Sequence, residues 1–108
     1  MKRILVSMGV AAALVSGAAM ADMDLAKKSG CVACHSVEKK VVGPAWRDVA
    51  KHYQGDAAAR DTLITKVKKG GKGNWTQVTG GVPMPPYSPR VSDENIEKLV
   101  DFILALEK

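Results

Sequence analysis

The chain has 108 residues, a formal net charge of +5 and 46% hydrophobic residues, which suits one small domain and excludes a multidomain protein. Its two cysteines cannot build a disulfide framework, and its modest basic excess, without interleaved aromatics, argues against a nucleic-acid binder. A domain of this size has a thin core and calls for a staple such as a metal or a prosthetic group.

The first residues read as an export leader. Lys2 and Arg3 form a charged start, Ile4 to Val15 is apolar apart from Ser7 and Gly9, and Ala19-Met20-Ala21 offers a small-x-small cleavage site. Residues 1–21 are therefore expected to be a cleaved signal peptide, leaving residues 22–108 as the working domain. An uncleaved anchor is the alternative, but the stretch is short for a span and rich in Ala, Gly and Ser. No cysteine stands at the cleavage point for a lipid. Loss of Lys2 and Arg3 lowers the charge to +3.

After the leader, the pattern predicts helices separated by loops and no alternating strand. Asp22 is the expected cap of a first short helix through Leu25 and Lys28 to Gly30. Then comes Cys31-Val32-Ala33-Cys34-His35. Two thiols three positions apart share one face of a helical turn and can reach two vinyl groups on one porphyrin edge. The adjacent histidine can then turn its imidazole to the iron, so this is the spacing of a covalent c-type haem site. A thioredoxin-like pair would sit in a βαβ pattern, and a zinc site would need more thiols or a second nearby histidine. This sequence offers neither.

Gly43-Pro44 is expected to open a second helix, with Pro44 at its first position, through Trp46, Val49 and Tyr53. Asp56 is the expected cap of a third helix, Ala57 to Lys69, with Leu63, Ile64 and Val67 as its apolar stripe and Gly70-Gly71 as its stop. Gly70 to Val91 is glycine- and proline-rich and reads as one long loop, the kind that tends to be functional. Inside it Met84 stands in Val82-Pro83-Met84-Pro85-Pro86, where flanking prolines stiffen the backbone and reduce the entropy lost on coordination. Met84, 49 positions after His35, is the candidate for the sixth iron ligand. The competing role is a greasy loop residue packed on the core. Met23 lies too close to the attachment site to reach the far face, and His52 on a polar helix reads as solvated. Ser92, Asp93 and Glu94 start a final helix whose Ile96, Leu99, Val100, Ile103 and Leu104 form one apolar face.

Taken together, CVACH, VGPAW, ITKVKKGGKGNW, VPMPP and a C-terminal amphipathic helix make the chain resemble the short soluble bacterial class I cytochromes c, over all of residues 22–108. The resemblance implies an all-α fold of about four short helices around one covalently attached haem c. It implies Cys31 and Cys34 as thioether anchors, His35 as proximal ligand and Met84 as distal ligand. It further implies that the Pro44 carbonyl accepts the His35 imidazole N–H, and that Trp75 and Lys66 lie near the haem propionates. Two features depart from the family pattern. Thr76 to Gly81 is longer than usual, and Tyr87-Ser88-Pro89-Arg90 follows the proline run where relatives carry an amide.

With both axial positions filled, iron has no site for substrate, so the expected role is electron shuttling and not enzymatic catalysis. The resemblance implies a carrier in the periplasm, since haem is attached outside the cytoplasmic membrane, and a monomer is the default expectation. Its partners would be redox proteins: a respiratory complex as donor and a reductase, peroxidase or oxidase as acceptor. Lys27, Lys28, Lys39 and Lys40 are candidate steering charges. A haem enzyme with an open distal site and a disulfide oxidoreductase are the competing functions.

Overall fold

A computed structural model of the protein describes residues 20–107. The expected leader lies outside the described residues except for its last two positions. Among the described residues the regular structure is helical, with isolated bridges and no extended strand, as the all-α expectation requires.

Helix α1 spans residues 20–28. It is already running at residue 20, so Asp22 lies within it and is not its cap. The fully buried Ala26 packs beside Cys31, Trp46 and Leu99. Gly30, at φ 83°, breaks the helix in the left-handed region that glycine tolerates. A single 3-10 turn, Cys31–Ala33, follows.

Helix α2, Trp46–His52, starts two residues later than expected. Pro44 stays in the preceding loop, and Ala45 is extended at ψ 139°. The first α2 amides are satisfied from outside: Trp46 N–H donates to the Ser36 carbonyl at 2.9 Å, and Arg47 N–H to Val37 at 3.0 Å. The attachment loop thus caps the helix that follows it.

Helix α3, Ala59–Lys69, also begins slightly late, a boundary shift within ordinary fraying. Asp56 still acts ahead of it, its Oδ1 accepting from Ala58 N–H at 2.9 Å. Lys66, Lys68 and Lys69 occupy the last turn, where cations suit the helix dipole. The long loop is not wholly irregular. Thr76–Thr79 forms a one-turn helix, α4, begun at Trp75 and ended by Gly80 at φ 69°.

Helix α5, Asp93–Leu104, is capped as expected by Ser92 Oγ, which accepts from Asn95 N–H at 3.2 Å. Ile96 and Val100 are fully buried, each worth about 1.5–3 kcal/mol by transfer from water. α5 packs along α3, and both it and the closing 3-10 turn, Ala105–Glu107, contact α2. Two apolar clusters result. One gathers Ile64, Tyr87, Val91, Ile96 and Val100, and the other Ala26, Cys31, Trp46 and Leu99.

Candidate functional site

Between these clusters lies a cavity of about 340 Å³, lined mostly by apolar side chains. Cys31, Cys34, His35, Pro44, Lys66, Trp75 and Met84 all line it. Residues scattered over more than fifty positions of sequence thus meet at one space.

The attachment wall is built by the 3-10 turn. In such a turn i and i+3 side chains eclipse, so Cys31 and Cys34 stand one above the other. Cys31 is buried and Cys34 half-buried. His35 N–H donates to the Cys31 carbonyl at 3.0 Å, continuing the turn. The imidazole is held from two sides. Its Nδ1 lies 2.8 Å from the Pro44 carbonyl oxygen, and the ring stacks on Trp46 at 5.7 Å between centroids and 20° between planes. A carbonyl can only accept, so Nδ1 carries the proton and Nε2 keeps its lone pair for a metal. Burial holds the imidazole below the ordinary histidine value, partly offset by the Pro44 bond, so it stays neutral as a ligand must.

Gly43, expected with Pro44 to open the second helix, has another task. A Cβ there would come within 2.5 Å of His35 Cε1, so only glycine leaves room for the ring. The VGPA run held that signal.

The second wall is the loop. Met84 and Gly71 exchange two backbone hydrogen bonds: Gly71 N–H to Met84 O at 2.8 Å and Met84 N–H to Gly71 O at 3.0 Å. Gly70 lies beneath, at φ 72° and ψ −161°, and a Cβ on it would collide with the Met84 carbonyl. Tyr87 N–H then donates to the Val67 carbonyl at 3.0 Å. The proline run is thereby pinned to the end of α3 at two points. Met84 packs against the Ile64–Tyr87 cluster, so it fills a packing role as well as lining the cavity.

Trp75 meets His52 edge-on at 5.1 Å between centroids, and His52 itself is exposed, as expected of a solvated histidine. Lys66 is half-buried; its Nζ approaches the Gly71–Gly73 turn closely enough that a Cβ at Gly73 would lie 2.9 Å from it. Among the described residues no cluster of three His, Cys, Asp or Glu could hold a metal ion.

Arg47 escaped the sequence reading because its partners are remote. Its guanidinium binds Glu38 at 2.7 Å, Glu107 at 2.9 Å and the Leu106 carbonyl at 2.7 Å, tying the segment after His35 to the C-terminal turn.

The donor set tests well against a haem: paired thiols, one imidazole nitrogen, a thioether and an apolar slot between two walls. Comparison with known proteins agrees. A family model described as cytochrome c matches residues 17–107. Cytochrome c-551 of Allochromatium vinosum is 52% identical over 99 residues, covering 92% of this chain and all of the relative. The crystal structure of wild-type Nitrosomonas europaea cytochrome c552 superposes with a TM-score of 0.69 at 48% identity, covering 78% of this chain and 98% of that one. A class 1 cytochrome, MtoD of Sideroxydans lithotrophicus, gives a TM-score of 0.66 at 33% identity, covering 82% and 95%.

Proposed function

This chain belongs to the cytochrome c family, as a small class I member with one covalently bound c-type haem, and on that premise we propose that it shuttles single electrons in the periplasm with iron held between His35 and Met84. One observation carries the reading: His35 and Met84 line a single cavity from separately built walls, each with its backbone pinned.

The bound group would supply the one-electron chemistry; Cys31 and Cys34 would hold it through thioether bonds, and His35 and Met84 would donate to its iron. Pro44 orients His35, as outer partners of a ligating histidine do. Methionine as the second donor raises the potential relative to anionic ligands and closes the iron to substrate. Trp75 and Lys66 would face the carboxylate edge of the group, and the half-buried Lys66 cation suits that place.

The docking face follows from charge placement. Arg47, Arg60, Lys68 and Lys98 are engaged with carboxylates, whereas among the described residues Lys27, Lys28, Lys39 and Lys40 stand in no ion pair. Exposed Val42 and Val82 line the cavity, Val41 is exposed next to Val42, and Val32 is exposed between the two cysteines. A respiratory donor or acceptor with an acidic rim would be drawn to this face. No helix among the described residues is long and apolar enough to cross a membrane. The reading includes removal of residues 1–21 as a leader and a monomer as the working form.

Met84→Ala tests the ligation. The wild-type ferric protein should show the near-infrared methionine-to-iron band and bind cyanide slowly. The variant should lose the band and bind cyanide at least tenfold faster. A band that survives in the variant rules Met84 out as the ligand.

A further inference from the structure

One residue lining the cavity, Tyr87, and one packed on it, Arg90, have no task in the electron-carrier reading. Tyr87 follows the proline run, is 5% exposed and lines the cavity. Arg90 is exposed, yet its guanidinium carbon lies 4.9 Å from the centroid of the Tyr87 ring. At that distance the negative face of an aromatic ring attracts a cation.

The backbone explains how the pair meets. Tyr87 N–H is bound to Val67, and Val91 N–H returns to the Tyr87 carbonyl at 2.8 Å. The segment between is a closed turn with both ends fixed, which folds Arg90 back over the ring. Among the described residues no carboxylate stands within ion-pair distance of Arg90, so its charge is uncompensated. That charge sits against the face of a ring that itself lines the cavity.

We propose that Arg90, seated on the Tyr87 ring, is an electrostatic tuning residue that holds a positive charge beside the Tyr87 side of the cavity and raises the reduction potential of the bound haem. The proposal rests on the electron-carrier reading above. Reduction adds one electron, delivered by a redox protein partner, and lowers the charge of the site by one. A fixed positive charge stabilises the reduced form more than the oxidised form. The apolar cavity preserves the interaction, while the exposed position of Arg90 leaves part of it to salt screening. Tyr87 acts through Arg90, as the platform that positions it.

The test is a midpoint titration of the holoprotein against a mediator at low ionic strength. R90Q should shift the equilibrium constant about three- to tenfold toward the oxidised form, tenfold being 59 mV for one electron. The shift should shrink in about 1 M salt, where the screening length falls to roughly 3 Å. R90K should recover most of it. Y87L should move the potential in the same direction as R90Q, and the double variant should add little, since both remove one charge from one place. A potential unchanged in R90Q, or an R90K shifted as far as R90Q, overturns the proposal; these two exposed-site variants decide it even where Y87L fails to fold. The near-infrared band on the same samples separates the two ideas. Its absence from the wild-type protein sinks His/Met ligation, whereas an unshifted R90Q with the band intact sinks only the role of Arg90.

Discussion

The two walls of the cavity are built by opposite means. The attachment wall is local: Cys31, Cys34, His35, Gly43 and Pro44 fall within fourteen residues and bond to one another through a 3-10 turn and one carbonyl. The methionine wall is assembled by docking: glycines after α3 meet the proline run across a two-bond bridge, and Tyr87 N–H returns to Val67 on the helix itself. The first wall forms from its own turn, while the second exists only once the loop has closed back on α3.

Substitutions at the glycines put that contrast to the test. Gly70→Ala should have the largest effect, because it meets two obstacles: a backbone region almost reserved for glycine, and overlap with the Met84–Pro86 backbone. A loss of about 3 kcal/mol is expected from those two strains. In denaturant titration the methionine band should vanish before helical signal does; loss of both together would mean the walls are not separable. Gly43→Ala should cost about 2 kcal/mol, since the new Cβ presses on a ring fixed by Pro44 and Trp46. Its mark should fall on the histidine side, seen as displaced imidazole resonances in NMR with the methionine band retained. Ser92→Ala touches neither wall and removes the cap of α5, so about 1 kcal/mol of stability should go. Thermal unfolding would register it, and both axial signals in the folded protein should stay as they were.

The same contrast explains what the sequence made legible. The attachment wall was readable because its chemistry is written in consecutive residues, and α5 because a cap and a periodic apolar face announce it. Met84 was readable through its prolines, though the Gly71 bridge that seats it was not, since no local pattern encodes a pairing between segments. Helix α4 was missed for a related reason: Thr76-Gln77-Val78-Thr79 has three weak helix formers in four residues and no side-chain cap, and its turn is closed by the Val78 and Thr79 amides reaching back to Trp75. The starts of α1 and α2 were misplaced because Asp22 and Pro44 are good local signals overruled by neighbours. Pro44 is needed as an acceptor for His35, and the α2 amides find carbonyls in the preceding loop. Arg47 belongs to the same class, a residue whose meaning depends on partners about sixty positions away.

The cap that Ser36 and Val37 lend to α2 has a consequence for motion. Seven residues are too few for a helix to persist unaided in water, so α2 depends on carbonyls donated by the stretch just past the imidazole. Any excursion that frees that stretch also releases the opening turn of α2, and the two fluctuate as one cooperative unit. Solvent deuterium would then enter at Trp46 and Arg47 in step with loosening around His35, which makes these two amides a built-in clock for how often the histidine side of the cavity breathes.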